Sequence, residues 1–289
     1  MAHDKQIRDY LTPMSPQPTS MTPGGRLKKM IQCVLFDIYG TLFISGSGDI
    51  HVVQKTPPQV QELERLTQKF DIRKTPEDLF RELHQAVKAK HRQLKDDGID
   101  YPEIEIDKIW QQILEFDDIQ SVRKFAVEFE LIVNPVYPMP NLQKLLSACK
   151  QQNLVMGIIS NAQFFTPLLF EWFLEASLES LGFESELIFL SYQMGYAKPS
   201  MVPFEKALTA IEARGFDAAS CLYVGNDMLN DIYPANRLGF QTALFAGDAR
   251  SLRVRSVDPR CSNLLADLVL TDLGQLIGYF QQIKGIEHV

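Results

Sequence analysis

The sequence lacks any run approaching the roughly 18 consecutive apolar residues of a membrane helix, so nothing in it calls for a bilayer. Cysteine is scarce and scattered. Cys33, Cys149, Cys221 and Cys261 make no CxxC pair, which argues against a paired-thiol zinc site and a small disulfide framework. Cys33 and Cys221 fall inside apolar runs and read as core thiols, so a reducing cytoplasm is the expected compartment. Positive charge is also in deficit. With 29 Lys and Arg against 36 Asp and Glu the net charge is -7, which argues against nucleic acid or an anionic membrane as partner. A small anionic substrate stays open, because local cations decide that. Residues 1–28 hold Pro, Ser, Thr and Gly but no signal-like apolar core, and are expected to form a flexible N-terminal extension. Internal repeats and low-complexity tracts are missing, and nothing in the pattern sets an oligomeric state.

What is present suits a folded chain of 289 residues, 45% hydrophobic and 22% charged. Short continuous apolar runs, "IQCVLF" (31–36), "NLVMGIIS" (153–160), "SCLYVGN" (220–226), "FQTALFA" (240–246) and "ADLVLTDL" (266–273), read as buried strands. Helical patterns lie between them at 141–152, 164–181, 201–214 and 228–238, with another at 272–283. This alternation predicts an α/β fold with a doubly wound parallel sheet. Residues 49–137 differ: they carry helical periodicity and caps such as Thr75-Pro76-Glu77-Asp78, and no convincing strand. They read as a helical domain inserted after the first strand, between core segments 29–48 and 138–289, with the prolines of "NPVYPMP" (134–140) at the return.

Three strands end on polar groups: Asp37, Ser160-Asn161 and Asn226-Asp227. In open α/β sheets ligands bind beyond the carboxyl ends of strands, so these groups are candidates for one site. Asp37, followed by Gly40-Thr41, reads either as a turn residue or as a carboxylate nucleophile with turn amides near it. Ser160 and Asn161 either cap the next helix or bind an anion. Lys198, stiffened by Pro199, suits a positioned cation that keeps Asp37 ionised. In "VGNDMLNDI" (224–232), Asp227 and Asp231 offer hard oxygen ligands for Mg²⁺, or helix caps. His84 and His91 share a helix face, and His51 lies in the linker into the insertion.

The segments "FDIYGTL", "IISN", "AKPS" and "VGNDMLNDI", in this order, resemble the four motifs of the haloacid dehalogenase (HAD) superfamily, and the insertion falls where many members carry a helical cap. The resemblance implies a Rossmann-like core and a hydrolase with Asp37 as nucleophile, assisted by Ser160 and Lys198. Tyr39, Thr41 and Asn161 would contact substrate, and Asp37, the Tyr39 carbonyl, Asp227 and Asp231 would hold Mg²⁺. Tyr39 departs from the phosphatase pattern, which has an aspartate acid/base there. A tyrosine, with a reference pKa near 10, is poorly matched to shuttling protons near neutrality. "DxYGTL" resembles the dehalogenase branch, whose halide leaving group needs neither proton nor metal, whereas the fourth motif leans towards metal-dependent phosphatases. In a second alignment Asn226 takes the slot of the first acid. The expectation is a Mg²⁺-dependent phosphatase acting on a small phosphorylated metabolite. A metal-independent 2-haloacid dehalogenase, and a binding protein with lost chemistry, are the alternatives.

Overall fold

The computed structural model describes residues 7–47 and 57–282; His51 lies outside them. Strands β1 (Gly24–Gly25), β2 (Cys33–Phe36), β3 (Phe43–Ser45), β4 (Val136–Pro138), β5 (Val155–Ser160), β6 (Phe183–Leu190), β7 (Cys221–Gly225), β8 (Gln241–Phe245) and β9 (Leu268–Leu270) form two sheets. Seven of them make the main sheet in the order β1-β9-β8-β7-β2-β5-β6, parallel except for β1. β2 lies at its centre, with Phe36 in register with Ile158 on one side and Val224 on the other. All four β2 residues are buried, as a parallel strand covered on both faces requires. Val34 and Phe36 enter one core cluster with Leu145, Ile158 and Leu276; Cys33 and Leu35 enter the other with Phe204, Ile211 and Tyr223. That split is the period of two of a strand read directly as packing.

Four helices follow β3: α1 (Pro57–Lys69), α2 (Pro76–Asp96), α3 (Ile106–Leu114) and α4 (Ile119–Val133). They close their own core around Trp110, whose ring meets Phe125 and Phe129 at centroid distances of 5.0 and 4.7 Å. Such aromatic contacts contribute beyond area burial. The chain leaves for this helical unit along β3 and returns along β4, and the two strands pair antiparallel. The remaining helices are α5 (Leu142–Gln151), α6 (Leu168–Leu174), α7 (Leu178–Leu181), α8 (Ser191–Met194), α9 (Val202–Ala213), α10 (Tyr233–Arg237) and α11 (Leu273–Gln282).

Three expectations change. The strand β6 was not expected, because "FESELIFL" mixes glutamates with apolar residues; as the edge strand of the parallel sheet it leaves Ser185 and Glu186 exposed. The helix expected at 164–181 is broken into α6 and α7, where Glu175 adopts a left-handed conformation and Ser177 caps a new start. The described part of the N-terminal extension, residues 7–28, is docked. Gln17 exchanges hydrogen bonds with Asp248 and Ala249, Thr19 Oγ1 donates to Ala246 O at 2.7 Å, and β1 pairs with β9. Ile7 is buried in the core. This proline-rich stretch forfeits backbone donors, so side chains and the edge of β9 supply its partners.

Candidate active site

The carboxyl ends of β2, β5 and β7 bring Asp37, Ser160 and Asn226 to one edge of the sheet. Asp37 is almost fully buried, and burying a bare carboxylate is costly unless it is paired. Its Oδ1 accepts from Ser160 Oγ at 2.8 Å and from Lys198 Nζ at 2.7 Å. The turn amides expected to help do not reach it: Gly40 N donates to Phe43 O and Thr41 N to Ile38 O. Gly40 is needed for the turn itself. It sits at φ +80°, where a side chain would strain, and a Cβ there would stand 2.5 Å from that of Ser251. Asp37 Oδ2 accepts no hydrogen bond from a described residue.

Lys198 is the pivot of the site. Its ammonium also donates to Asp231 Oδ1 at 2.5 Å and to Tyr223 OH at 3.2 Å. Burial works against its charge, but Asp231 and Asp37 more than offset this and hold it above the usual lysine range. Asn161 fixes the lysine's backbone: its Oδ1 accepts from Lys198 N at 2.7 Å and its Nδ2 donates to Lys198 O at 3.4 Å. Asp231 lies directly under the end of β7, where any Cβ on Gly225 would come within 2.4 Å of its carboxyl carbon. Burial pushes the Asp231 carboxyl up to about 7; Lys198 opposes that rise, and Asp37 and Asp227 reinforce it.

The other candidates are placed as follows. Thr41 Oγ1 donates to Asn226 Oδ1 at 3.0 Å, and Asn226 Nδ2 donates to Ser251 O at 2.6 Å, so this pair braces the floor of the site. Asp227 caps the π-helical turn Met228–Ile232 through the amides of Leu229 and Asn230, and Arg255 Nη2 reaches its Oδ2 at 2.7 Å. Tyr39 hydrogen-bonds Thr166 Oγ1 at 3.0 Å through its hydroxyl. Burial first, then the Glu130 and Asp37 carboxyls, raise that hydroxyl above the usual tyrosine range, with the Thr166 bond opposing. Held there, it is a poor proton shuttle. Tyr39→Phe should therefore cost about 1 kcal/mol of stability. Its effect on kcat should fall far short of the ~10² to 10⁴-fold loss of a general acid. Steady-state kinetics and a urea titration check both.

A cavity of about 660 Å³ opens above Asp37, between the sheet edge and the helical unit. Its roof is apolar, with Leu83, Val87, Trp110 and Phe129, and His84 and His91 line it from α2. Sequence reasoning missed Glu130, Ser251, Arg253 and Arg255, which also line it. The last three recur at every second residue, an alternation that could have flagged one shared side of an extended segment.

Among the described residues no group of three or more His, Cys, Asp and Glu stands ready to hold a metal ion. The resemblance assigns Mg²⁺ to Asp37, the Tyr39 carbonyl, Asp227 and Asp231. The last two carboxylates are committed, to Arg255 and to Lys198. Asp37 Oδ2 is open, and the Tyr39 carbonyl accepts no hydrogen bond from a described residue. That reduced set fits Mg²⁺ in its commonest mode, one carboxylate together with waters and a substrate phosphate.

A sequence model of the haloacid dehalogenase-like hydrolases matches residues 31–239. Ribulose-1,5-bisphosphate 5-phosphatase of Halopiger xanaduensis is 29% identical over 140 residues, 48% of this chain and 54% of that protein. The chain thus spans about half the length of this curated relative. A 2-haloacid dehalogenase from Pseudomonas syringae pv. Tomato superposes with a TM-score of 0.52 at 18% identity, covering 88% of this chain and 99% of its own. A HAD phosphatase from Thermococcus onnurineus gives 0.52 at 18% identity, covering 90% and 100%. Both likenesses speak for the fold alone.

Proposed function

The chain belongs to the haloacid dehalogenase-like hydrolases, and from that premise we propose that it hydrolyses a small phosphomonoester with Asp37 as nucleophile. The observation that carries this reading is the division of labour on one buried carboxylate. Ser160 and Lys198 hold Oδ1, while Oδ2 stays open. A phosphate entering the cavity can take over the Ser160 and Lys198 donors, which frees Oδ1 to attack phosphorus and form an aspartyl-phosphate. Asp231 keeps Lys198 charged and aimed, and Asn161 fixes its backbone, so the donors are placed before substrate arrives. Asp37 and the Tyr39 carbonyl would hold Mg²⁺, which when bound supplies positive charge against the phosphate oxygens. The phosphatase relative supports the choice of phosphorus.

The test is a screen of phosphorylated metabolites at millimolar Mg²⁺, repeated in EDTA. Release of phosphate that EDTA suppresses is the expected result, and no turnover of any phosphomonoester would remove the reading. A second reading, metal-independent dehalogenation of a 2-haloacid, draws on Tyr39, since a halide leaves without a proton. It predicts halide release that survives EDTA.

The bonds of Asp227 carry a further expectation. Because its carboxylate pairs with Arg255 and caps a helical turn, Asp227→Asn should lower stability by about 1–2 kcal/mol. The Mg²⁺ concentration giving half-maximal turnover should stay unchanged. A large rise in that concentration would place Asp227 on the metal instead.

A further inference from the structure

Helix α4 carries two glutamates two residues apart, which therefore project to opposite sides. Glu128 is paired: Lys69 Nζ reaches both its oxygens at 2.7 Å, and Tyr10 OH donates to it at 3.0 Å. Glu130 lines the cavity with Asp37 and Tyr39, and has no ion-pair partner among the described residues. Its Oε1 accepts from Asn134 Nδ2 at 3.1 Å. The Asn134 amide cannot turn over, because its Oδ1 already accepts from Ser45 Oγ at 2.9 Å and Ser47 N at 3.1 Å. One carboxyl oxygen is thereby fixed, and Oε2 accepts nothing from a described residue. Burial in this wall raises the Glu130 carboxyl above its usual range, with the Asn134 bond opposing, which favours the protonated acid.

The reaction at Asp37 has a gap that this group can fill. An alkyl phosphomonoester expels a strongly basic alkoxide, which needs a proton as the ester bond breaks. The Tyr39 hydroxyl is bonded to Thr166 Oγ1 and held above the usual tyrosine range, and Lys198 is paired with two carboxylates. We propose that Glu130, reaching down from α4, is the proton donor to the leaving group. This rests on the phosphatase reading above. Asp37 forms a bond to phosphorus, the phosphorus–oxygen ester bond breaks, and the leaving oxygen takes the Glu130 proton to depart as an alcohol. Water then attacks the phosphorus of the aspartyl-phosphate and gives its proton to bulk solvent, from which Glu130 is reprotonated, so this step does not depend on Glu130. The bond between phosphorus and Asp37 breaks, inorganic phosphate leaves, and both carboxyl groups return to their starting states.

The experiment compares Glu130→Gln with wild type on an alkyl phosphomonoester such as glycerol phosphate, and on p-nitrophenyl and acetyl phosphate, whose leaving groups need no proton. The expected result is a kcat loss of ~10² to 10⁴-fold on the alkyl ester and less than ~10-fold on the activated pair, a pattern a purely structural role would not produce. Glu130→Asp should restore part of the alkyl activity, and melting curves confirm that the variants fold. Equal losses on all three substrates, or none, would overturn the assignment. A wild type that turns over neither the alkyl ester nor the activated pair removes the phosphatase reading, and this proposal with it. Wild-type turnover confined to the activated pair overturns the proposal while leaving phosphorus chemistry at Asp37 intact.

Discussion

Asp37→Asn should abolish turnover and leave the fold standing. Asparagine has the same size, and its carbonyl can still accept from Ser160 Oγ and Lys198 Nζ, the two bonds that position the native carboxylate. What it lacks is nucleophilicity. Loss of a nucleophile costs about 10⁴-fold or more in kcat. The stability change should stay within about 1 kcal/mol, because hydrogen bonds are weakened rather than deleted. Active sites often lose strain when their charges are removed, so a slightly higher melting temperature is compatible. Kinetics on the best substrate of the screen and a thermal melt form the test. Retention of more than a tenth of wild-type kcat would show that Asp37 is not the nucleophile. Unfolding of the variant would instead make the carboxylate a structural charge.

The sheet and the position of the helical unit were legible because they follow from periodicity. Apolar runs such as Cys33–Phe36 and Cys221–Gly225 have few ways to be buried, and polar strand ends mark the site edge. The docked N-terminal segment was not legible, since its partners Ala246, Asp248 and β9 lie more than 200 residues away and its only strand, Gly24–Gly25, is too short to show a period. Within the site, the residues on strand ends were readable, but their commitments were not. Whether Asp227 faces a metal depends on Arg255, a loop residue 28 positions on that no local pattern connects to it. Glu130 illustrates the same limit from the other side. In a helix rich in apolar residues it looks like any solvated acid, and only the return of α4 over Asp37 sets it in the cavity wall.

Lys198→Met should damage fold and chemistry together, and the damage should grow with pH. Methionine replaces most of the stem volume, so the loss reports mainly the missing charge. Breaking a buried ion pair by removing one partner costs about 3–5 kcal/mol, because the remaining charge is left uncompensated. Here two carboxylates, Asp37 and Asp231, lose their shared cation. The sign of the pH dependence follows from Asp231. Its carboxyl is raised in the folded chain to about 7 from the ordinary 3.8. A raised group contributes stability fully present below the unfolded value and lost as pH climbs through the folded one. Lys198 restrains that rise, so its removal pushes the carboxyl higher and extends the loss above pH 7. The lysine is itself held above its ordinary 10.5, so its charge is constant across the range that matters. Urea unfolding of wild type and variant should thus show a difference that is smaller near pH 5, where Asp231 is protonated in both and only the Asp37 pair is lost, and full near pH 8. An equal difference at both values would mean that Asp231 does not change its protonation state between them, which would overturn this account of the pH dependence. Activity of the variant should be lost at either pH, since the donor that a phosphate oxygen would take over is gone whatever the state of Asp231.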